Sequence, residues 1–354
     1  MTLGNIGGYQ LVRPLGSGGM GEVFFAVSPT ADRVAIKVIR QHLLQDETMR
    51  ERFATEVESL KLVYGSRVAR LEDADPYADP AWLAVEYVPG ATLRQYVDAH
   101  GPLPLPLAAM AGAMLADGLA KVHQVGLLHR DMKPQNIILG PDGPKVIDFG
   151  LAVLVERDNY LTEPGALVGT PAYMSPEQVR GERDLTPAVD VYGLAATLVF
   201  ALTGRGLYPP TNSWNLLLRI SKPDDLPDLS NVPDELVGLL GMMLAFDSSA
   251  RPGLDDVRAR LLAVATAASG KPVVDLRREV ADRTYDRDVE LFVPPGLDDP
   301  QLDPEDPAVI DEDPEPTPDI KRDDVDTERP PAPRADVTWL VDKIRRQYAR
   351  RSTL

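Results

Sequence analysis

The densest group of chemically useful side chains is His129-Arg130-Asp131-Met132-Lys133-Pro134-Gln135-Asn136. It is followed by the apolar run Ile137-Ile138-Leu139, a Pro-Asp-Gly-Pro turn, and Val146-Ile147-Asp148-Phe149-Gly150. Two carboxylates, Asp131 and Asp148, accompany a lysine, Lys133, and the carboxamide of Asn136. Phosphoryl transfer needs this set: a carboxylate to hold the acceptor hydroxyl, oxygen ligands for Mg²⁺, and a cation near the group in flight. A second group lies upstream. Gly16-Ser17-Gly18-Gly19-Met20-Gly21-Glu22-Val23 falls between two strand-like runs, and its glycines would let a hairpin lie flat over a polyphosphate with N–H groups facing it. A dinucleotide site would require the glycines to open a helix, whereas Val23, Phe24, Phe25 and Val27 read as strand. Lys37 ends the apolar run Val34-Ala35-Ile36, and a lysine pointing inward from such a run needs an anionic partner. Glu56, 19 residues later on a helical stretch, offers one, so Lys37 reads as a lysine gripping nucleotide phosphates.

The elements that must position these groups divide the chain. Short β-rich runs at residues 10–15, 22–27, 33–39 and 82–88 surround one helical stretch, 47–63, that places Phe53, Val57, Leu60 and Val63 on one face. From about residue 92 to 268 the pattern is mostly helical, over 107–124, 189–203, 235–244 and 254–268. A small strand-rich lobe, 9–88, followed by a larger helical lobe, 89–270, predicts an α+β fold of two lobes.

Composition narrows the function classes. The 354 residues are 44% hydrophobic and 26% charged, ordinary globular usage that excludes collagen-like and wholly disordered chains. A net charge of −17 argues against a nucleic-acid-coating protein, since phosphate backbones would be repelled. Without cysteine there is no disulfide, thiolate metal site or cysteine nucleophile. The first residues have neither the basic flank nor the apolar core of a signal peptide, and no charge-free window is long enough to cross a bilayer. The expectation is a soluble, cytoplasmic protein with no transmembrane segment.

Taken together and in order, the motifs resemble the eukaryotic-type (Hanks-type) serine/threonine protein kinases that also occur in bacteria, over roughly three quarters of the chain. The resemblance implies a two-lobed kinase fold, ATP and Mg²⁺ as cofactors with Mn²⁺ as a substitute, and protein substrates. It implies that Leu15, Gly16, Ser17, Gly18, Gly19 and Gly21 cover the phosphates, and that Lys37 contacts them and pairs with Glu56. Asp131 would accept the proton of the substrate hydroxyl, Lys133 would contact the γ-phosphate, and Asn136 and Asp148 would hold the metal. Val23, Ala35 and Ile138 would sandwich adenine, with Val85 as gatekeeper and Glu86 to Val88 as hinge. Ser175-Pro176-Glu177 takes the place of the Ala-Pro-Glu motif, with Glu177 expected to pair with Arg251, and Asp190 matches the buried aspartate of the central large-lobe helix. Arg130 would dock a phosphorylated activation-loop residue, for which Thr162 is the candidate, and Thr170 would position the substrate. The alternative is a pseudokinase serving as a nucleotide-binding scaffold. A homodimer through the small lobe, as in some bacterial relatives, stays open.

Beyond residue 270 the character changes. Residues 291–334 hold 14 acidic, 4 basic and 11 proline residues, too little apolar surface to offset chain entropy, so 271–335 reads as a mostly disordered acidic tail. Thr317 in that stretch, with Ile320 three residues on, is a candidate ligand for a phosphothreonine-reading domain. At the end, Val337, Leu340, Val341, Ile344 and Tyr348 predict a short basic amphipathic helix over 336–354.

Overall fold

The computed structural model describes residues 3–44, 46–148 and 171–285. The small lobe is built on an antiparallel sheet of β1 (Asn5–Ile6), β2 (Tyr9–Ser17), β3 (Gly21–Val27), β4 (Arg33–Ile39), β5 (Leu71–Asp75) and β6 (Trp82–Glu86), in the order β1-β2-β3-β4-β6-β5. Side chains alternate between the faces of a strand, so β4 sends Val34 and Ile36 to one side, where they pack with Leu11, Ala26, Trp82 and Ala84. Helix α1 (Glu47–Leu60) covers the other side, seating Phe53 and Val57 against Ile39 and Leu83. Asp46 starts α1 by accepting the Thr48 N–H at 2.9 Å, which satisfies one of the unpaired donors of the first turn. The helix stops at Leu60, three residues short of the expected end, and Val63 turns away into the large-lobe core.

The large lobe holds a small sheet of β7 (Ala91–Thr92), β8 (Ile137–Gly140) and β9 (Gly143–Val146). Around it lie α2 (Leu93–His100), α3 (Leu105–Gln124), α4 (Pro176–Val179), α5 (Ala188–Thr203), α6 (Ser213–Ile220), α7 (Asp234–Met243), α8 (Leu254–Ser269) and α9 (Val273–Thr284). Helix α3, at 20 residues, is long and apolar enough to cross a membrane by length and composition alone, yet most of it is buried inside this lobe. Its small residues let neighbours approach: a Cβ on Gly112 would meet Leu198 of α5 at 2.8 Å and Leu261 of α8 at 3.1 Å.

The structure corrects the boundary expected at residue 270. Helix α9 packs on α3 and β9, with Leu276 and Val280 fully buried and Thr284 almost so. These three residues, spaced by four, form one narrow stripe on a helix otherwise dominated by charge, which is why composition alone assigns 273–284 to the tail. The expectations for Phe149, Gly150, Thr162, Thr170, Thr317 and the basic helix 336–354 lie outside the described residues, as does the acidic stretch beyond 285.

Candidate active site

One face of the small-lobe sheet carries the nucleotide-site candidates by register. Val23 lies opposite Lys37 and Ala35 opposite Val85, and directly opposed residues project from the same face. Val23, Ala35, Lys37 and Val85 therefore share one surface, the side that α1 also covers. Lys37 is buried at 7% exposure, and its Nζ lies 3.2 Å from Oδ1 of Asp148. Glu56 is buried on the inward side of α1.

The glycine-rich connection is a tight hairpin in which the Gly18 and Gly21 amides each donate to the other's carbonyl, at 2.9 and 3.4 Å. Its glycines serve different ends. A Cβ on Gly21 would fall 1.9 Å from the Val38 carbonyl oxygen, so this glycine lets β3 approach β4. Gly16 and Gly18 have nothing within 4 Å of an added Cβ, and with Leu15, Ser17 and Gly19 they form an exposed lip.

The large-lobe candidates converge on the loop before β8. The Asp131 carboxylate accepts from Lys133 Nζ at 2.6 Å and from Asn136 Nδ2 at 2.9 Å, and the same Nδ2 donates to the Asp131 carbonyl at 2.9 Å. Asn136 is buried, and with its Nδ2 committed, its Oδ1 is the atom left to ligate or accept. His129 fastens this loop to the strand leading into Asp148: its Nε2–H donates to the Ile147 carbonyl at 3.0 Å, and its Nδ1 accepts the Asp131 amide at 3.2 Å. The backbone at Arg130 and Asp148 has φ of +62° and +61°, a region that non-glycine residues occupy only when their surroundings hold them there.

Asp190, fully buried on α5, is the central anchor of that loop. Its carboxylate accepts the His129 amide at 2.8 Å, the Arg130 amide at 2.7 Å and His123 Nε2 at 2.7 Å. Burial pushes this carboxyl up, but the His123 hydrogen bond and the neighbouring imidazole and amide of His129 outweigh burial and hold it below its ordinary value. A buried charge pair joins α4 to the segment before α8. Arg251 grips Glu177 through two bonds, Nη1 to Oε1 at 2.5 Å and Nη2 to Oε2 at 2.8 Å, as expected from the motif. Burial pushes Glu177 up and the Arg251 hydrogen bonds bring it below its ordinary value.

Between the lobes, Glu86 of β6 pairs with Lys145 of β9 at 2.5 Å. Ile138 is half-buried on the side of β8 opposite the fully buried Ile137 and Leu139, and half-buried Val88 packs near Gly140. Sequence reasoning passed over Lys145, His123 and Gln178. Each has a partner distant in the chain, Glu86, Asp190 and Arg130 respectively, and spacing carries no signal for those pairings. The donor set would suit a nucleotide with a hard cation: Asn136 Oδ1 and the Asp148 carboxylate could serve as oxygen ligands, and Lys37 is a buried cation 3.2 Å from Asp148.

A family profile described as protein kinase domain matches residues 9–261. The probable serine/threonine-protein kinase PkwA of Thermomonospora curvata is 44% identical over 258 residues, which are 73% of this chain and 34% of that protein. The serine/threonine-protein kinase AfsK of Streptomyces coelicolor is 42% identical over 262 residues, 72% of this chain and 32% of that one. The chain thus spans about a third of the length of these curated relatives. Among solved structures, the kinase domain of Mycobacterium tuberculosis PknI matches with a TM-score of 0.57 at 25% identity, covering 74% of this chain and 98% of that one.

Proposed function

From the premise that this chain belongs to the protein kinase family, we propose that it transfers the γ-phosphate of ATP to serine and threonine hydroxyls of proteins. The observation that carries this reading is the Asp131 carboxylate, held by Lys133 and Asn136 in a loop that His129 ties to the strand before Asp148. A carboxylate so held keeps one oxygen directed by its partners and leaves the other to accept a hydrogen bond from an acceptor hydroxyl. Lys133 contributes positive charge where the transferred group develops negative charge. Mg²⁺, or Mn²⁺ in its place, would be held by Asn136 and Asp148 and would supply charge neutralisation between the phosphates. Lys37 would then exchange its Asp148 contact for the nucleotide, with Glu56 on the inward side of α1 as the carboxylate that would orient it. Val23, Ala35, Val85 and Ile138 offer apolar walls for adenine, and the exposed lip at 15–19 offers backbone amides to the phosphates. Thr162 is the candidate site for autophosphorylation, with Arg130 to receive it, and Thr170 for positioning the acceptor.

The test is transfer of γ-phosphate from ATP with Mg²⁺ to the protein itself and to a generic basic protein, comparing the parent with Asp131→Asn. Labelling of the parent and a loss of about a thousandfold or more in the variant is the expected outcome. Nucleotide binding with no transfer by the parent would overturn it in favour of a nucleotide-binding scaffold.

A further inference from the structure

Gln178 does two things at once. Its Oε1 accepts both the Ser175 amide and the Ser175 hydroxyl, each at 3.1 Å, and this fixes which way the carboxamide faces. Its Nε2 is thereby turned toward the loop, where it donates to the Arg130 carbonyl at 2.7 Å. That carbonyl belongs to the peptide unit joining Arg130 to Asp131.

The peptide needs to be held. Arg130 sits at φ +62°, a conformation that a non-glycine residue keeps only when its neighbours hold it there. On its N–H side, the Asp190 carboxylate accepts at 2.7 Å. On the carbonyl side, Gln178 holds the peptide plane with a short bond, whereas the loop itself restrains that plane through the longer bond from the Asp131 amide to His129 Nδ1, at 3.2 Å. The plane's orientation sets the direction of the Asp131 Cα–Cβ bond, and so the placement of its carboxylate. Gln178 is itself well anchored, because it sits on α4 next to Glu177, which Arg251 clamps with two bonds.

We infer that Gln178 is a positioning residue for phosphoryl transfer: it couples the segment that receives the acceptor to the peptide that aims Asp131. This rests on the kinase reading above. Seating of residues 171–179 and alignment of the carboxylate are then one event, and displacement of α4 takes away the carbonyl-side hold on the strained Arg130 peptide.

Gln178→Glu in the full chain separates the two roles. An ionised carboxylate still accepts from Ser175, so the cap on α4 survives, but it has no proton to donate to the Arg130 carbonyl. The expected result is a fall in kcat of about tenfold, the worth of one such hydrogen bond, with KM for ATP and Tm near those of the parent. Amide hydrogen exchange supplies a readout independent of activity: the Asp131 amide should exchange faster in the variant than in the parent, while the Arg130 amide stays protected by Asp190. An unchanged kcat together with unchanged exchange at Asp131 would overturn the inference, as would a rate loss matched by equal losses in Tm and ATP affinity, which marks a purely structural role. If the parent itself transfers no phosphate, the kinase reading fails, and the exchange comparison still decides whether Gln178 holds the peptide. Gln178→Leu, which removes both links without adding charge, is the second variant if Gln178→Glu folds poorly, with the same kcat and exchange outcomes expected.

Discussion

The two walls of the site are held in different ways. In the small lobe, Val23, Ala35, Lys37 and Val85 share a face because β3, β4 and β6 are in register, and ladder hydrogen bonds between backbones do the positioning. In the large lobe, Asp131 and Asn136 are placed by buried polar side chains: Asp190 under the loop, His129 across to Ile147, and Glu177 clamped by Arg251. A ladder spreads its restraint over many equivalent bonds, so losing one side chain leaves the register standing. A buried charge pair concentrates its restraint, and removing one member leaves the other uncompensated in low dielectric. The large lobe should therefore be the less tolerant wall.

The strongest test of that contrast is Arg251→Met. It strands the Glu177 carboxylate, whose side chain is only 5% exposed, and should cost about 3–5 kcal/mol in denaturant unfolding at neutral pH. The pH dependence has a definite sign. Glu177 is held below its ordinary 4.5 in the folded parent, so the pair contributes stability above that value and loses it as pH falls through the folded value. Without Arg251, burial is opposed only by the weaker hydrogen bonds from the Glu177 amide and Ser175, so the carboxyl rises and the gap between parent and variant should narrow as pH falls into the acid range. A gap that is small at pH 7, or that widens in acid, would show that the clamp is not a concentrated restraint.

The next test concerns where the large lobe ends. Leu276→Ala removes a fully buried side chain from α9 and should cost about 3 kcal/mol, read as a shift in denaturant midpoint at constant m-value. A cost near that of an exposed substitution would return α9 to the tail and restore the boundary at 270.

How much of this was legible in the sequence follows the same division. Helices α1, α7 and α8 stand out because their buried residues recur every three to four positions, α3 and α5 because they are long apolar runs, and strands β2, β3, β4 and β6 because they are short runs rich in aliphatic and aromatic residues. Strand β5 does not, since three of its five residues are acidic, and α2 and α6 are single eight-residue helices whose patterns are too short to be distinctive. At the site, Asp131, Lys133, Asn136 and Asp148 can be read as a phosphoryl-transfer set from residue type, and Glu177 with Arg251 only through the family resemblance, because 74 residues separate them. His123 and Gln178 escape both routes. Their roles rest on hydrogen bonds to groups remote in sequence, and only the folded backbone brings those groups together.

Within the small lobe the glycines sharpen the comparison further. Gly21→Ala would drive a Cβ into the Val38 carbonyl, forcing β3 and β4 apart, and should cost about 2 kcal/mol. Gly18→Ala has open space around it and should change stability by no more than about 0.5 kcal/mol, so any effect it has should fall on nucleotide affinity instead. Equal stability losses at both positions would mean that strand approach is not what distinguishes Gly21.

The smallest expected effect runs in the opposite direction. Thr197 is fully buried in α5, and its hydroxyl has no hydrogen-bond partner among the described residues, in the same helix whose Asp190 is saturated with donors. A buried hydroxyl left unpaired forfeits its hydration without recompense, and valine has nearly the same shape, so Thr197→Val should stabilise the domain by about 1 kcal/mol in equilibrium unfolding. Polar groups along α5 would then divide cleanly, with Asp190 stabilising the fold through the site loop and the Thr197 hydroxyl weakening it. Destabilisation by Thr197→Val would instead reveal a partner for the hydroxyl, and would make α5 a polar scaffold along more of its length than Asp190 alone.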